Sequence, residues 1–148
     1  MTTIHPPGLP VERGKIHEFA NAILDEHPLY HDAEAAAAAG LPGVVAPPTF
    51  AMATALFSDP GATIAPELAA LDMRYTLHGA QEFVFERPVC AGDVLSSEPG
   101  EVRTYEKQGK RGGVMKFVEV ETVYRDQHGE VVVRTKTTAI QTAGVVKE

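Results

Sequence analysis

Apolar residues recur at three- and four-residue steps early in the chain and at two-residue steps later, so helices are expected first and strands after them. Val11 to Asp25 predicts an amphipathic helix, because Ile16, Phe19, Ala20, Ile23 and Leu24 follow the i, i+3, i+4, i+7, i+8 pattern of one buried stripe. Gly14 weakens its first turn by about 1 kcal/mol relative to alanine. Pro28 stops it, since proline disfavours helical geometry at the preceding residue. A second helix is expected from Asp32 to Ala39, with Asp32 as N-cap, the run Ala35 to Ala39 as its body and Gly40 as its left-handed end. Pro42, Gly43 and Pro47 keep Leu41 to Pro47 irregular. From Pro48 to Phe57 no residue is charged, and Asp59-Pro60-Gly61 follows as a stop. A helix apolar on every side is one surrounded by protein.

From Leu71 onward the period changes. Phe83, Phe85 and Arg87 alternate with Glu82, Val84 and Glu86 ahead of Pro88. Val114, Val118, Val120, Thr122 and Tyr124 share one side of a second run, with Lys116 as an exception, and Val131 to Ile140 is rich in Val and Thr. These runs predict strands, with Gly109 to Gly113 and Asp126-Gln127-His128-Gly129 as hairpin connections. The class expected is α+β: a single domain over residues 1–148, with a proline-rich extended arm at 1–10 and a tail at 143–148. An antiparallel sheet curved around the apolar helix would bury most of it, and a second copy would cover the remainder.

Composition narrows the function classes. The 148 residues carry 13 Lys+Arg against 20 Asp+Glu, a net charge of −7, which disfavours nucleic acid and anionic membranes as partners. No apolar run reaches the ~20 residues of a membrane span, and the first residues lack the basic and apolar regions of a signal peptide, so a cytoplasmic protein is expected. Cys90 is the only cysteine and forms no internal disulfide; without basic neighbours other than Arg87 it reads as a small buried residue. No metal-ligand spacing or phosphate-binding glycine loop stands out, and no cofactor is expected.

Two stretches resemble a known family. They are Asp25-Glu26-His27-Pro28-Leu29-Tyr30-His31-Asp32 with Gly43-Val44-Val45-Ala46-Pro47-Pro48-Thr49-Phe50, and Leu77-His78-Gly79-Ala80-Gln81-Glu82-Phe83 with Arg87-Pro88-Val89-Cys90-Ala91-Gly92-Asp93. Together they are similar to the MaoC-like, hot-dog-fold dehydratases. Within these they resemble the fatty-acid-synthase-like N-terminal dehydratase group, which includes small actinobacterial (3R)-hydroxyacyl-thioester dehydratase subunits. The resemblance runs from about Glu12 to Thr142. It implies a long central helix wrapped by a curved antiparallel sheet, and (R)-specific hydration of an enoyl thioester, or the reverse, on coenzyme A or acyl carrier protein.

The family pattern Asp-x-Asn-Pro-aliphatic-His holds one water between its Asp, as base, and its His. In this sequence Asp25, Pro28 and Leu29 match, His27 replaces the Asn, and Tyr30 occupies the His position with His31 one place later. Asp25 and His31 are therefore the catalytic candidates. A tyrosine, with a reference pKa near ~10, is a poor proton shuttle at neutral pH. Tyr30, Pro48, Thr49, Phe50, His78, Gly79 and Gln81 are candidates for binding the thioester. Free N–H groups at the start of the Pro48 helix would polarise a carbonyl, although local capping explains the same residues. His78 to Gln81 read equally as a strand-entry turn. Asp93 is expected to bond its own turn, with Gly92 at positive φ, and Lys107, Lys110 and Arg111 to form a solvated hairpin tip.

The leading expectation is a subunit that supplies the acyl tunnel and half of a dimer interface, acting beside a similar subunit with an intact Asp…His pair. A self-sufficient homodimeric hydratase using His31, His27 or His78 is one alternative, a non-catalytic acyl-thioester-binding protein another, and thioesterase chemistry on the same fold a weaker third.

Overall fold

The structure, a computed structural model, describes residues 8–56, 65–110 and 112–144. The expected stop at Asp59-Pro60-Gly61, Arg111 and most of the terminal arm and tail lie outside the described residues. The chain order is β1 (Leu9–Pro10), α1 (Arg13–Ala22), α2 (Ala33–Ala38), α3 (Pro66–Ala69), β2 (Thr76–Phe85), β3 (Val94–Gln108), β4 (Val114–Arg125) and β5 (Val131–Gln141). Short 3₁₀ turns lie at Pro28–Tyr30, Phe50–Leu56 and Met73–Tyr75.

The five strands form one antiparallel sheet in the order β1-β3-β4-β5-β2. Register shifts between Pro99 and Val102, His78 and Ala80, and Tyr124 and Arg125 bend it, since each bulge adds local twist. The sheet curls over two apolar clusters. The larger joins Leu9, Ile16, Val44, Phe50, Leu95 and Val133, with Tyr124 among them; the smaller joins Leu71, Val118, Val120 and Ala139. β3 was not singled out in the sequence as a strand, because Ser96, Ser97, Pro99 and Gly100 interrupt its pattern; pairing with β4 carries it through.

Both helices of the first third form where expected. Asp32 caps α2 by accepting the Glu34 N–H at 2.8 Å, and Gly40 closes it at φ 78°. On α1, Ile16 and Ala20 are fully buried, but the expected burial of Ile23 and Leu24 is corrected: they are 47% and 89% exposed. The helix closes at Ala22 with a Schellman pair, Leu24 N–H to Asn21 O at 3.1 Å and Asp25 N–H to Ala20 O at 2.9 Å. This swings Leu24 to φ 58° and off the buried stripe.

The Pro48–Phe57 segment also differs from expectation. Its described residues form a 3₁₀ turn over Phe50–Leu56 in place of the expected helix, and Phe57 lies outside the described residues. At three residues per turn, Ala51 and Thr54 stack on one side and are buried with Phe50, while Met52 and Ala55 are exposed. The Thr54 hydroxyl donates back to the Ala51 carbonyl at 2.9 Å, a bond that favours the tighter turn. One face, not all of it, is wrapped.

Candidate functional site

Asp25 sits where α1 ends and the Pro28–Tyr30 turn begins. Its Oδ1 accepts the His27 N–H at 3.0 Å, and the His27 Nδ1 accepts the Leu29 N–H at 3.3 Å. The turn is anchored from outside by Val45 N–H donating to the Leu29 carbonyl at 2.9 Å. Tyr30 is half-buried against the larger apolar cluster, its ring centroid 5.4 Å from that of His27. Burial, and secondarily the Asp25 carboxylate, push the Tyr30 phenol above its ordinary value, so it is neutral at physiological pH.

His31 engages the Asp25 backbone and makes no hydrogen bond to its carboxylate. Its Nε2 lies 2.8 Å from the Asp25 backbone carbonyl, and its Nδ1 lies 2.8 Å from Nδ1 of His17. Among the described residues no histidine ring hydrogen-bonds the Asp25 carboxylate. His17 was not among the sequence candidates. The available signal was the spacing Arg13, His17, Asn21, which puts all three on one face of α1.

Pro48 and Thr49 are exposed and Phe50 is 3% exposed. The Phe50 N–H donates to Pro47 O at 2.9 Å and the Met52 N–H to Thr49 O at 3.1 Å, so the turn itself engages both amides. Phe50 instead walls an open apolar hollow of about 380 Å³, shared with Leu9, Lys15, Glu18, Phe19 and Ala53.

His78, Gly79 and Gln81 lie within β2, which corrects the strand-entry turn. Strand alternation alone would put His78 and Gln81 on opposite faces. The bulge at Gly79 brings both to one side of β2, opposite Ala139 and Thr137, with His78 exposed and Gln81 half-buried. Gln81 Oε1 accepts the Thr137 hydroxyl at 2.8 Å, and its buried Nε2 has no partner among the described residues.

Elsewhere, Arg87 donates twice to Asp93 at 2.8 and 2.9 Å and once to Asp126 at 2.8 Å. Asp93 also accepts the Cys90 N–H at 2.9 Å, and Gly92 has φ 101°, as the turn reading required. Cys90 is buried, and burial, then Asp93, raises its thiol above the ordinary value. In the hairpin, Lys107 Nζ lies 5.1 Å over the Tyr105 ring and 5.0 Å over that of Phe117. Among the described residues no cluster of three or more His, Cys, Asp or Glu is placed to hold a metal ion, and no helix is long and apolar enough to cross a membrane.

The family model for the FAS1-like dehydratase domain region matches residues 1–135. The chain belongs to that family. An UPF0336 protein of Streptomyces griseus is 37% identical over 137 residues, covering 93% of this chain and 87% of that protein. An UPF0336 protein of Saccharopolyspora erythraea is 48% identical over 89 residues, which is 60% of this chain but only 56% of that protein. Among solved structures, the C-terminally truncated HadBC (3R-hydroxyacyl-ACP dehydratase) complex of Mycobacterium tuberculosis matches at TM-score 0.73 and 29% identity, over 91% of this chain and 90% of that one. The ChsH1-ChsH2 complex of the same organism matches at TM-score 0.69 and 25% identity, over 93% and 83%. The fold is thus the MaoC-like hot-dog fold, as the resemblance implied, with a 3₁₀ turn at Phe50–Leu56 where a helix was expected.

Proposed function

We propose that this chain is the substrate-holding subunit of an (R)-specific enoyl-thioester hydratase or (3R)-hydroxyacyl-thioester dehydratase. In this reading it works with a second hot-dog subunit that carries an intact Asp…His pair. The observation that carries the proposal is the chemistry around Asp25: a neutral Tyr30 stands at the family's histidine position, and among the described residues no imidazole hydrogen-bonds the carboxylate. Hydration needs a base to take the proton of an attacking water and an acid to deliver one to the adjacent carbon. Asp25 offers one half of that pair.

The hollow beside Phe50 is large enough for part of an acyl or pantetheine chain, and pockets of about 300–1,000 Å³ are usual for such ligands. The amide N–H of Gln81, unpartnered among the described residues, offers a donor to a thioester or pantetheine oxygen. β2 ends the sheet, and Leu77, Val84 and Phe85 on it are exposed, so the partner docks along this strand. The HadBC and ChsH1-ChsH2 neighbours are themselves two-component complexes, which supports the same arrangement here.

The test is hydration of crotonyl-CoA and of a crotonyl-carrier-protein thioester, by the pure chain and by its mixture with a neighbouring-gene subunit bearing Asp-x-Asn-Pro-aliphatic-His. Turnover is expected only in the mixture. Turnover by the pure chain that vanishes in Asp25→Asn would overturn the dependent-subunit assignment in favour of a self-sufficient homodimer.

A further inference from the structure

The polar face of α1 is built to hold the turn that carries Asp25. Arg13, His17 and Asn21 project from that face, and all three connect to residue 31 or to one another. Arg13 Nη2 donates to the His31 carbonyl at 3.3 Å, His17 Nδ1 meets His31 Nδ1 at 2.8 Å, and Asn21 Nδ2 meets His17 Nε2 at 3.0 Å. At the far end His31 Nε2 meets the Asp25 carbonyl at 2.8 Å.

The chemistry of these four groups fixes where the protons lie. A carbonyl only accepts, so His31 Nε2 carries a proton and donates. In a neutral ring Nδ1 of His31 is then an acceptor, so His17 must donate from its own Nδ1. That leaves His17 Nε2 as an acceptor, and the Asn21 amide nitrogen is the donor facing it. The chain is self-consistent with both imidazoles neutral. One added proton makes His17 Nε2 a donor and requires Asn21 to turn its amide over, while the central bond stays in place. Two added protons put N–H against N–H at 2.8 Å and abolish the central bond.

We infer that His17 and His31 are positioning residues for the Asp25 carboxylate: His17 steers the His31 ring, whose Nε2–H holds the Asp25 carbonyl, and the steering bond of this clasp is lost when both rings are protonated. The inference rests on the reading of Asp25 as part of a thioester site. The mechanical link is short. The clasp sets the Asp25 carbonyl, the His27 N–H sets its side chain through Oδ1, and together they hold the second carboxylate oxygen in one direction. His17 is exposed, so protons reach the clasp directly from solvent. The other titratable or charged groups on the described elements packed around it are Glu12, Arg13, Lys15 and Glu18 on and before α1, Asp25, Glu26, His27 and Tyr30 in the turn, and Asp32 and Glu34 at the head of α2.

Two measurements on the full chain test this. Long-range imidazole nitrogen NMR at about pH 8 should find His17 as the Nδ1–H tautomer and His31 as the Nε2–H tautomer. Asn21→Asp offers only an acceptor to His17 Nε2, and should switch His17 toward the Nε2–H tautomer. The opposite tautomers in the wild type, or a His17 tautomer unmoved by Asn21→Asp, overturn the clasp. The second measurement is crotonyl-CoA binding at about pH 8 and about pH 5. The wild type should lose about tenfold in affinity on acidification, a coupling of ordinary size. His31→Gln, whose amide still donates to the Asp25 carbonyl but takes up no proton, should lose much less. An equal loss in both overturns the positioning role. A chain that binds no thioester at either pH, yet shows the tautomers, leaves the clasp standing and instead defeats the thioester-site reading.

Discussion

Gly79 lies against Ile140 so closely that a β-carbon there would stand 2.5 Å from Ile140 Cδ1 and 2.8 Å from its Cγ1. The carbonyl oxygen of Thr138 would be 3.2 Å away, so the backbone as well as the side chain limits the space. Gly79 sits at the β2 bulge that puts His78 and Gln81 on one side. Gly79→Ala is therefore expected to cost about 1–3 kcal/mol, the usual range for overpacking. Ile140→Ala in the same chain should recover part of that loss, because the two nearest atoms disappear. Urea denaturation of the two single variants and the double variant checks this; strictly additive losses would contradict the contact.

Arg87 ties the end of β2 to the β4–β5 hairpin through Asp126, which also accepts the N–H groups of His128 at 2.9 Å and Glu130 at 3.0 Å. The Arg87 guanidinium, ahead of the backbone donors, holds the Asp126 carboxyl below its ordinary value of 3.8. A carboxyl lowered in the folded state stabilises fully above its unfolded pKa, and that contribution fades as pH falls toward the folded one. Asp126→Asn should accordingly lower the thermal midpoint at neutral pH. The gap to wild type should narrow as pH drops below about 4. Melting curves from neutral to acid pH read this directly, and a gap that widens on acidification would contradict it.

The elements legible in the sequence are those specified by neighbours along the chain. Asp32, the alanine run and Gly40 carry the cap, body and end of α2 within nine residues. The hairpin at Asp126–Gly129 is similarly local. The Phe50–Leu56 turn was not legible as 3₁₀, because an uncharged run states burial but not pitch; the Thr54 bond to Ala51 is compatible with the tighter turn. β3 depends on partners in β4, so its own Ser, Pro and Gly content misleads. At the site, Asp25 and Tyr30 follow from the motif spacing. The orientation of His31 does not, because it is decided by His17, which lies 14 residues earlier and meets it only after α1 packs on the turn.

Leu24 adopts φ 58°, a left-handed conformation that costs a side-chain-bearing residue about 1–2 kcal/mol. Because it is 89% exposed, little packing offsets this in the isolated chain. Leu24→Gly should therefore stabilise the isolated chain, by about 0.5–1 kcal/mol after the extra entropy of glycine in the unfolded state is counted. If Leu24 instead packs against the partner subunit, the same change should weaken the assembled complex while stabilising the free chain. Chemical denaturation of the free chain and a titration of complex formation separate the two effects.

Tyr30→His restores the Asp-to-His spacing of the family motif, with Asp25 five residues earlier. The tyrosine phenol is held neutral by burial and by the Asp25 charge, and so is no base at physiological pH. An imidazole at the same position can both accept and donate a proton there. A correctly placed acid–base group contributes about 10²–10⁴-fold to rate. A clasp that already fixes Asp25 should let the purified Tyr30→His chain show part of that gain in crotonyl-CoA hydration, followed as loss of the enoyl-thioester absorbance. Asp25→Asn in the same background should remove it, and Tyr30→Phe should leave the activity of the two-subunit mixture within about twofold of wild type if the phenol takes no part in proton transfer. A large loss in Tyr30→Phe would make the tyrosine itself part of the machinery and argue against a partner supplying the missing imidazole.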